Sequence, residues 1–239
     1  MLVMIHGIGD CGADMAPVTD VLSGQLHTYA PSRRPLPASA TFDDTVEDFL
    51  KQLDEEKIGP AYLLGYSFGG LIALTIAHRH PERVRGVIGL AAKVIYDERT
   101  MKHLRHIISA DRLRQTIGHK VPAYERRWGM DLADIAASAM GMYESFAAKP
   151  PLADRELRAI EAPVLLISGE RDQVTSPAET RRLAELIPDA RFEFFPGGAH
   201  PLRAVPADQV KTAVLRFVRE VEKGQFAMPA EERARAWLG

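Results

Sequence analysis

Residues 2–5, 61–64, 86–90 and 163–167 are short apolar runs in which apolar and polar residues do not alternate. A strand with one wet face alternates at period two, so runs of this kind belong to strands covered on both faces. Helical patterns separate them. After Asp14, the residues Met15, Val18, Leu22 and Leu26 recur at helical spacing, with Pro17 near the helix start, where it is tolerated. Residues 26–29 suit a second short strand, and the Pro-rich stretch 31–37 is loop. Thr41 followed by Asp44 has the form of a capping box for a helix that carries Val46, Phe49, Leu50 and Leu53 on one face. Residues 71–77 give a further helix and 191–195 a further strand. Strand and helix alternate through residues 1–92 and again from 163. The pattern predicts an α/β fold with a mostly parallel sheet flanked by helices and joined by right-handed crossovers. Between these stretches, residues 95–155 hold helical patterns and no strand. The expected organisation is therefore a core in two parts, 1–94 and 156–239, interrupted by a helical cap insertion at 95–155.

The balance of charge excludes several classes of function. Thirty Lys and Arg against 32 Asp and Glu leave a formal net charge of −2, which offers neither a nucleic-acid groove nor a surface for acidic membranes. The Arg-rich stretch 99–127 is broken by Ile107, Ile108, Leu113 and Ile117 at helical spacing, the mark of a solvated helix face. Cys11 is the single cysteine; it excludes an internal disulfide, cannot form a zinc site alone, and argues for a reducing compartment. The apolar residues 1–5 lack a basic flank and are too short for a signal peptide or a membrane span. These readings predict a cytoplasmic protein with no nucleic-acid or membrane partner.

Gly65-Tyr66-Ser67-Phe68-Gly69 lies directly between an apolar run and a helical run. A strand that turns into a helix within three residues strains the central residue and demands small neighbours, here Gly65, Gly69 and Gly70. Ser67 is then exposed as a candidate nucleophile; taken alone, the pentapeptide is equally a glycine-flanked turn. A serine hydroxyl needs a base to take its proton and a third group to orient that base. Asp172 follows the apolar strand through Ser168-Gly169-Glu170-Arg171, and His200 follows the next strand through Gly197-Gly198-Ala199. Both stand just beyond strand ends, where open α/β sheets place their sites. Glu170 and Asp189 are the alternative acids, and a turn or cap role is the plainer reading of Asp172.

Taken together, these segments resemble the α/β-hydrolase family over nearly the whole chain. His6-Gly7-Ile8-Gly9 is similar to its oxyanion loop, and residues 65–70 to its nucleophile elbow. Residues 78–84 are similar to the segment after the elbow helix, residues 168–172 to its acid loop and residues 198–200 to its histidine loop. The order Ser67, Asp172, His200 is that of the fold. The resemblance implies a serine hydrolase cleaving a small carboxylic ester, lactone or thioester, without metal or organic cofactor. It also implies that the backbone N–H groups of Ile8 and Phe68 form the oxyanion hole, while the two side chains wall an acyl pocket. Two alternatives remain open. One is a C–C hydrolase of ring-cleavage products, disfavoured by the missing glycine-rich loop after His6-Gly7; the other is a ligand sensor that keeps the triad. Nothing resembles the aspartate nucleophile of the dehalogenase and epoxide-hydrolase branches. The family's opening antiparallel hairpin has no counterpart before Leu2, so the sheet is expected to be shortened, with the first strand less protected at its edge.

Several further residues carry expectations. His6 should brace its loop by a hydrogen bond, and Asp10 should face solvent or cap the next helix. His78 and His80 suit a helix C-terminus, and His103, His106 and His119 suit a surface. Met15, Met130, Met140, Met142, Tyr143 and Trp128 are candidates for a substrate cavity or for core, and residues 229–238 for a short amphipathic helix.

Overall fold

The computed structural model describes residues 1–34 and 39–226. The strands are β1 (Leu2–Ile5), β2 (Thr28–Tyr29), β3 (Ala61–Tyr66), β4 (Val84–Leu90), β5 (Val164–Gly169) and β6 (Ala190–Phe195). The helices are α1 (Ala16–Leu22), α2 (Phe42–Glu55), α3 (Phe68–Arg79), α4 (Glu98–Ile107), α5 (Ala110–Ile117), α6 (Val121–Trp128), α7 (Leu132–Ala148), α8 (Asp154–Arg158), α9 (Pro177–Leu186) and α10 (Ala207–Glu222). The chain divides into two compact units. One takes residues 1–31, 59–93 and those from 154 onward; the other takes 32–58 and 94–153.

The first unit is built on one six-stranded sheet in the order β2-β1-β3-β4-β5-β6, with every neighbouring pair parallel. Absence of alternation in the apolar runs has the expected cause: all residues of β1 and β3 are buried. Leu2, Met4, Leu64, Ile88, Leu165 and Ile167 point to one face and join Met15, Val18, Val210, Val214 and Phe217 in a core under α1 and α10. The opposite side chains are covered by α3, which packs on β1, β3 and β4, and by α9, which packs on β5 and β6.

Two expectations are corrected here. The helix expected to reach Leu26 ends at Leu22, because Gly24 turns the chain at a φ of +75°; Leu26 still packs on the core. Nor is β1 an edge strand. Leu2 and Val3 pair with Thr28 and Tyr29, and the Leu2 N–H donates to the His27 carbonyl at 2.8 Å. The two-residue β2 therefore shields a strand whose four side chains are 0% exposed.

The second unit is helical apart from loops. Helix α2 starts at Thr41, whose Oγ1 accepts from the Asp44 N–H at 3.2 Å while the Asp44 carboxylate accepts from the Thr41 N–H at 2.7 Å. Thus the expected capping box is formed. An aromatic group of Phe42, Tyr96, Tyr143 and Phe146 holds the unit, with ring centroids 5.1–5.8 Å apart in stacked and edge-on pairs. Among the described residues no helix is long and apolar enough to cross a membrane. The expected helix at 229–238 lies outside the described residues.

Helix α3 approaches β1 backbone to backbone. A methyl group on Gly69 would stand 2.0 Å from the Ile5 carbonyl oxygen and 2.8 Å from that of His6. The Ile5 oxygen belongs to β1 and cannot move without disturbing the sheet. Gly69→Ala should therefore destabilise the protein by at least about 3 kcal/mol, lowering Tm by about 6–12 °C, which thermal melts followed by circular dichroism will measure.

Candidate active site

Strand β3 ends at Tyr66 and α3 begins at Phe68, so Ser67 alone makes the turn. It does so at φ 51° and ψ −116°, a left-handed backbone unusual for a residue with a side chain. Its surroundings fix it there: the Ser67 N–H donates to the Leu90 carbonyl at 3.0 Å, and its carbonyl accepts from Gly70 at 2.9 Å and Lys93 at 3.1 Å. The turn is tight enough that a methyl group on Gly65 would lie 2.3 Å from the Gly69 oxygen. Ser67 Oγ emerges 3.0 Å from His200 Nε2.

His200 Nδ1 lies 3.1 and 3.0 Å from the two carboxylate oxygens of Asp172. With Nδ1–H donating to Asp172, Nε2 is left to accept from Ser67. The three residues singled out in sequence, from the ends of β3, β5 and β6, therefore form one hydrogen-bonded line. The Asp172 side chain is 0% exposed, and every acceptor position is used. Oδ1 accepts from the Val174 and Thr175 N–H groups at 2.9 and 2.7 Å, and Oδ2 from the Thr175 hydroxyl at 2.8 Å. Burial pushes its carboxyl upward, but the His200 and Thr175 donors outweigh burial and hold it below the usual carboxylate range.

Glu170 and Asp189, the alternative acids, stand elsewhere. Glu170 accepts from the Gly197 N–H at 2.9 Å and so ties the acid loop to the histidine loop; Asp189 precedes β6 at the strand-start edge, where its carbonyl accepts from Val164. Ile8 is half-exposed on the loop after β1, and Phe68 opens α3. Their strands are adjacent, with Ile5 in register with Gly65, so both residues stand three beyond the same rung of the sheet. The Phe68 ring is 1% exposed and belongs to the core; of the two side chains expected to wall a pocket, only Ile8 is partly open to solvent.

His6 braces its loop as expected, with Nδ1 2.8 Å from the Gly7 carbonyl oxygen. Asp10 does not cap the next helix. A 3-10 turn at Gly12–Met15 leads into α1; Cys11 stands at its start, where its N–H donates to Asp14 at 2.9 Å, while half-buried Asp10 turns its carboxylate toward Gly7 and Tyr66. His103, His106 and His119 are exposed on the helical unit. Met15 and Tyr143 are buried, Met140 is half-buried, and Met130 and Met142 line a cavity of about 620 Å³ within the helical unit, beside Thr41, Phe42 and Gly141. The Trp128 side chain lies outside the described residues. No group of three or more His, Cys, Asp or Glu among the described residues could hold a metal ion.

Sequence reasoning missed Thr175 and Ser168, both 0% exposed. Ser168 Oγ donates to the Thr175 carbonyl at 3.1 Å, which presents the Thr175 hydroxyl to Asp172. A readable signal existed: an aspartate with threonine three residues on is the pattern of a side chain capping its own downstream backbone.

Comparison with known proteins agrees with this architecture. Residues 2–213 match the model of the Alpha/beta hydrolase family. A 2-hydroxymuconate semialdehyde hydrolase from Pseudomonas sp. (strain CF600) is 28% identical over 92% of this chain and 87% of its own length. A pimeloyl-[acyl-carrier protein] methyl ester esterase from Chromobacterium violaceum is 29% identical over 83% and 86%. Among solved structures, a thermophilic esterase from Thermogutta terrifontis aligns with a TM-score of 0.72 at 20% identity, covering 92% of this chain and 89% of that one, a likeness of fold.

The depressed Asp172 carboxyl has a measurable sign. Its charge stabilises the fold above the unfolded carboxylate pKa of about 4, and that stabilisation is lost as pH falls through the lower folded value. In Asp172→Asn the term is absent. The Tm difference between wild type and variant should be constant from pH 7 to about 5 and shift against the wild type below about pH 4, as read by scanning calorimetry.

Proposed function

Because the chain belongs to the Alpha/beta hydrolase family, we propose that it is a serine hydrolase that cleaves a small carboxylic ester, lactone or thioester through an acyl-enzyme on Ser67. The observation that carries this reading is the line Ser67 Oγ, His200, Asp172, at 3.0 Å and 3.0 Å, on a serine held at φ 51°. Attack by Ser67 Oγ on the carbonyl carbon sends its proton to His200 Nε2, and the buried Asp172 carboxylate holds the resulting imidazolium. His200 then gives that proton to the departing alkoxide oxygen or thiolate sulfur as the carbonyl–heteroatom bond breaks, so the leaving group departs as an alcohol or thiol. A water molecule, deprotonated by His200, attacks the acyl carbon, and the proton returns to Ser67 as the acid departs.

Negative charge on the carbonyl oxygen is the costly feature of both steps. Backbone N–H groups of Ile8 and Phe68 are assigned to receive it, the latter at the first turn of α3, where the helix dipole adds a positive end. Loss of one such donor costs about a hundredfold to a thousandfold in rate. The methyl ester esterase of Chromobacterium violaceum supports ester chemistry for this chain.

One observation favours a second reading. The 2-hydroxymuconate semialdehyde hydrolase matches over a larger share of the chain than the esterase does, which supports a C–C hydrolase using the same three residues. Sequence weighs against it, since His6-Gly7 is followed by Ile8-Gly9-Asp10-Cys11 and not by the full glycine-rich loop expected there.

The test is direct. A fluorophosphonate probe should label the wild type at Ser67 and leave Ser67→Ala unlabelled, and that variant should lose at least about a thousandfold in kcat. A panel of p-nitrophenyl esters of rising acyl length, with lactones, thioesters and one ring-cleavage dienone, separates the two readings. Turnover of the dienone alone would overturn the ester assignment.

A further inference from the structure

His200 stands on a segment with little regular structure of its own. After β6 the chain runs through Pro196, Gly197, Gly198 and Ala199 before a short turn at Leu202–Ala204. Its backbone ties come just before the histidine: the Gly197 N–H to Glu170 at 2.9 Å, the Gly198 carbonyl from Arg171 at 2.7 Å, and a long contact from Ala199 to Ala204 at 3.4 Å. At His200 itself the tie comes from Tyr66, whose hydroxyl donates to the His200 carbonyl oxygen at 2.6 Å.

Tyr66 is well placed for that task. It is the last residue of β3, in register with Leu90 of β4, and only 5% exposed. The sheet thus fixes where its hydroxyl stands. Its ring centroid lies 5.6 Å from that of the imidazole, inclined by 36°. The edge of the same ring rests on Gly7, where a methyl group would come within 3.0 Å of it. One side chain therefore touches the loop of His200 and the loop of Ile8, and its own peptide bond leads into Ser67. Burial, with the Asp10 and Asp172 carboxylates, pushes the phenol well above its usual pKa, so it stays a donor and has no use as a base.

We propose that Tyr66 is a positioning residue that sets where the His200 imidazole stands between Ser67 and Asp172 by holding the histidine's own carbonyl to the end of β3. This rests on the serine hydrolase reading. Without the hydroxyl, the loop is free to carry Nε2 away from Ser67 Oγ, and a small displacement of a catalytic group weakens proton transfer while leaving substrate affinity alone.

The experiment compares wild type, Tyr66→Phe and Ser67→Ala on p-nitrophenyl acetate, well below the Tm measured for each. Tyr66→Phe should lower kcat about tenfold to a hundredfold, keep KM within about twofold, and slow fluorophosphonate labelling of Ser67 by the same factor as kcat. Placing 4-aminophenylalanine at position 66 restores a donor and should bring kcat back to within about threefold of wild type. Should phenylalanine leave the chain unfolded, 4-aminophenylalanine is compared with 4-fluorophenylalanine, which keeps the bulk and lacks the donor. Equal kcat for donor and non-donor side chains, with Ser67→Ala inactive, overturns the role of Tyr66 and leaves the hydrolase reading standing. Full turnover by Ser67→Ala overturns both.

Discussion

Helix α3 lies so close to β1 and β3 that carbonyl oxygens fill the space where side chains would otherwise begin. Gly65 and Gly69 permit that approach, and the left-handed Ser67 is its result. Strain at a single residue costs on the order of 1–3 kcal/mol, and here the Ser67 backbone is held by hydrogen bonds to Leu90, Gly70 and Lys93. The cost is spread over the joint between two layers of the fold. What is gained is a hydroxyl that stands beyond the sheet and 3.0 Å from the His200 imidazole.

Asp172 shows how a charge can be buried without being neutralised. Its side chain has no exposed surface, a situation that ordinarily drives a carboxyl to keep its proton. Four donors reverse the balance, three of them from residues within three positions of the aspartate itself. The acid is thus prepared by its own loop, and His200 needs only to arrive. Lys93 and Glu179 form a second ionic link in this unit, with Lys93 Nζ 2.9 Å from both carboxylate oxygens. It joins the segment after β4 to the first turn of α9, the helix that leaves the acid loop.

Much of this was legible in the residues. Unbroken apolar runs announced a sheet covered on both faces, and Thr41 with Asp44 announced the start of α2, because both signals are local. Ser67, Asp172 and His200 could be named since strand ends in such a sheet converge on one edge. The misreadings share a different cause. Leu26 kept helical spacing after Gly24 had already turned the chain, since periodicity does not register a backbone that leaves the helix. The edge of β1 looked bare because the family's opening hairpin has no counterpart before Leu2, yet the short strand read at residues 26–29 pairs with it, and strand order is set by packing rather than by local pattern. Asp10 and the Tyr66 hydroxyl act across loops, and which loops meet is decided by packing that no window of sequence contains; Thr175, three residues from Asp172, was local and readable. The Phe68 ring went to the core for the same reason: its backbone and its side chain answer to different neighbours.

The rung that joins Ile5 to Gly65 links accuracy of folding to the layout of the candidate site. In a parallel pair, a slip of one residue would turn Val3 and Ile5 to the wrong face of the sheet. It would also carry the loop holding Ile8 by about 3.3 Å relative to Ser67. No intermediate setting exists, because side chains alternate and the pleat allows only whole steps. The loop of Ile8 and the turn at Ser67 therefore stand level only in molecules folded in register.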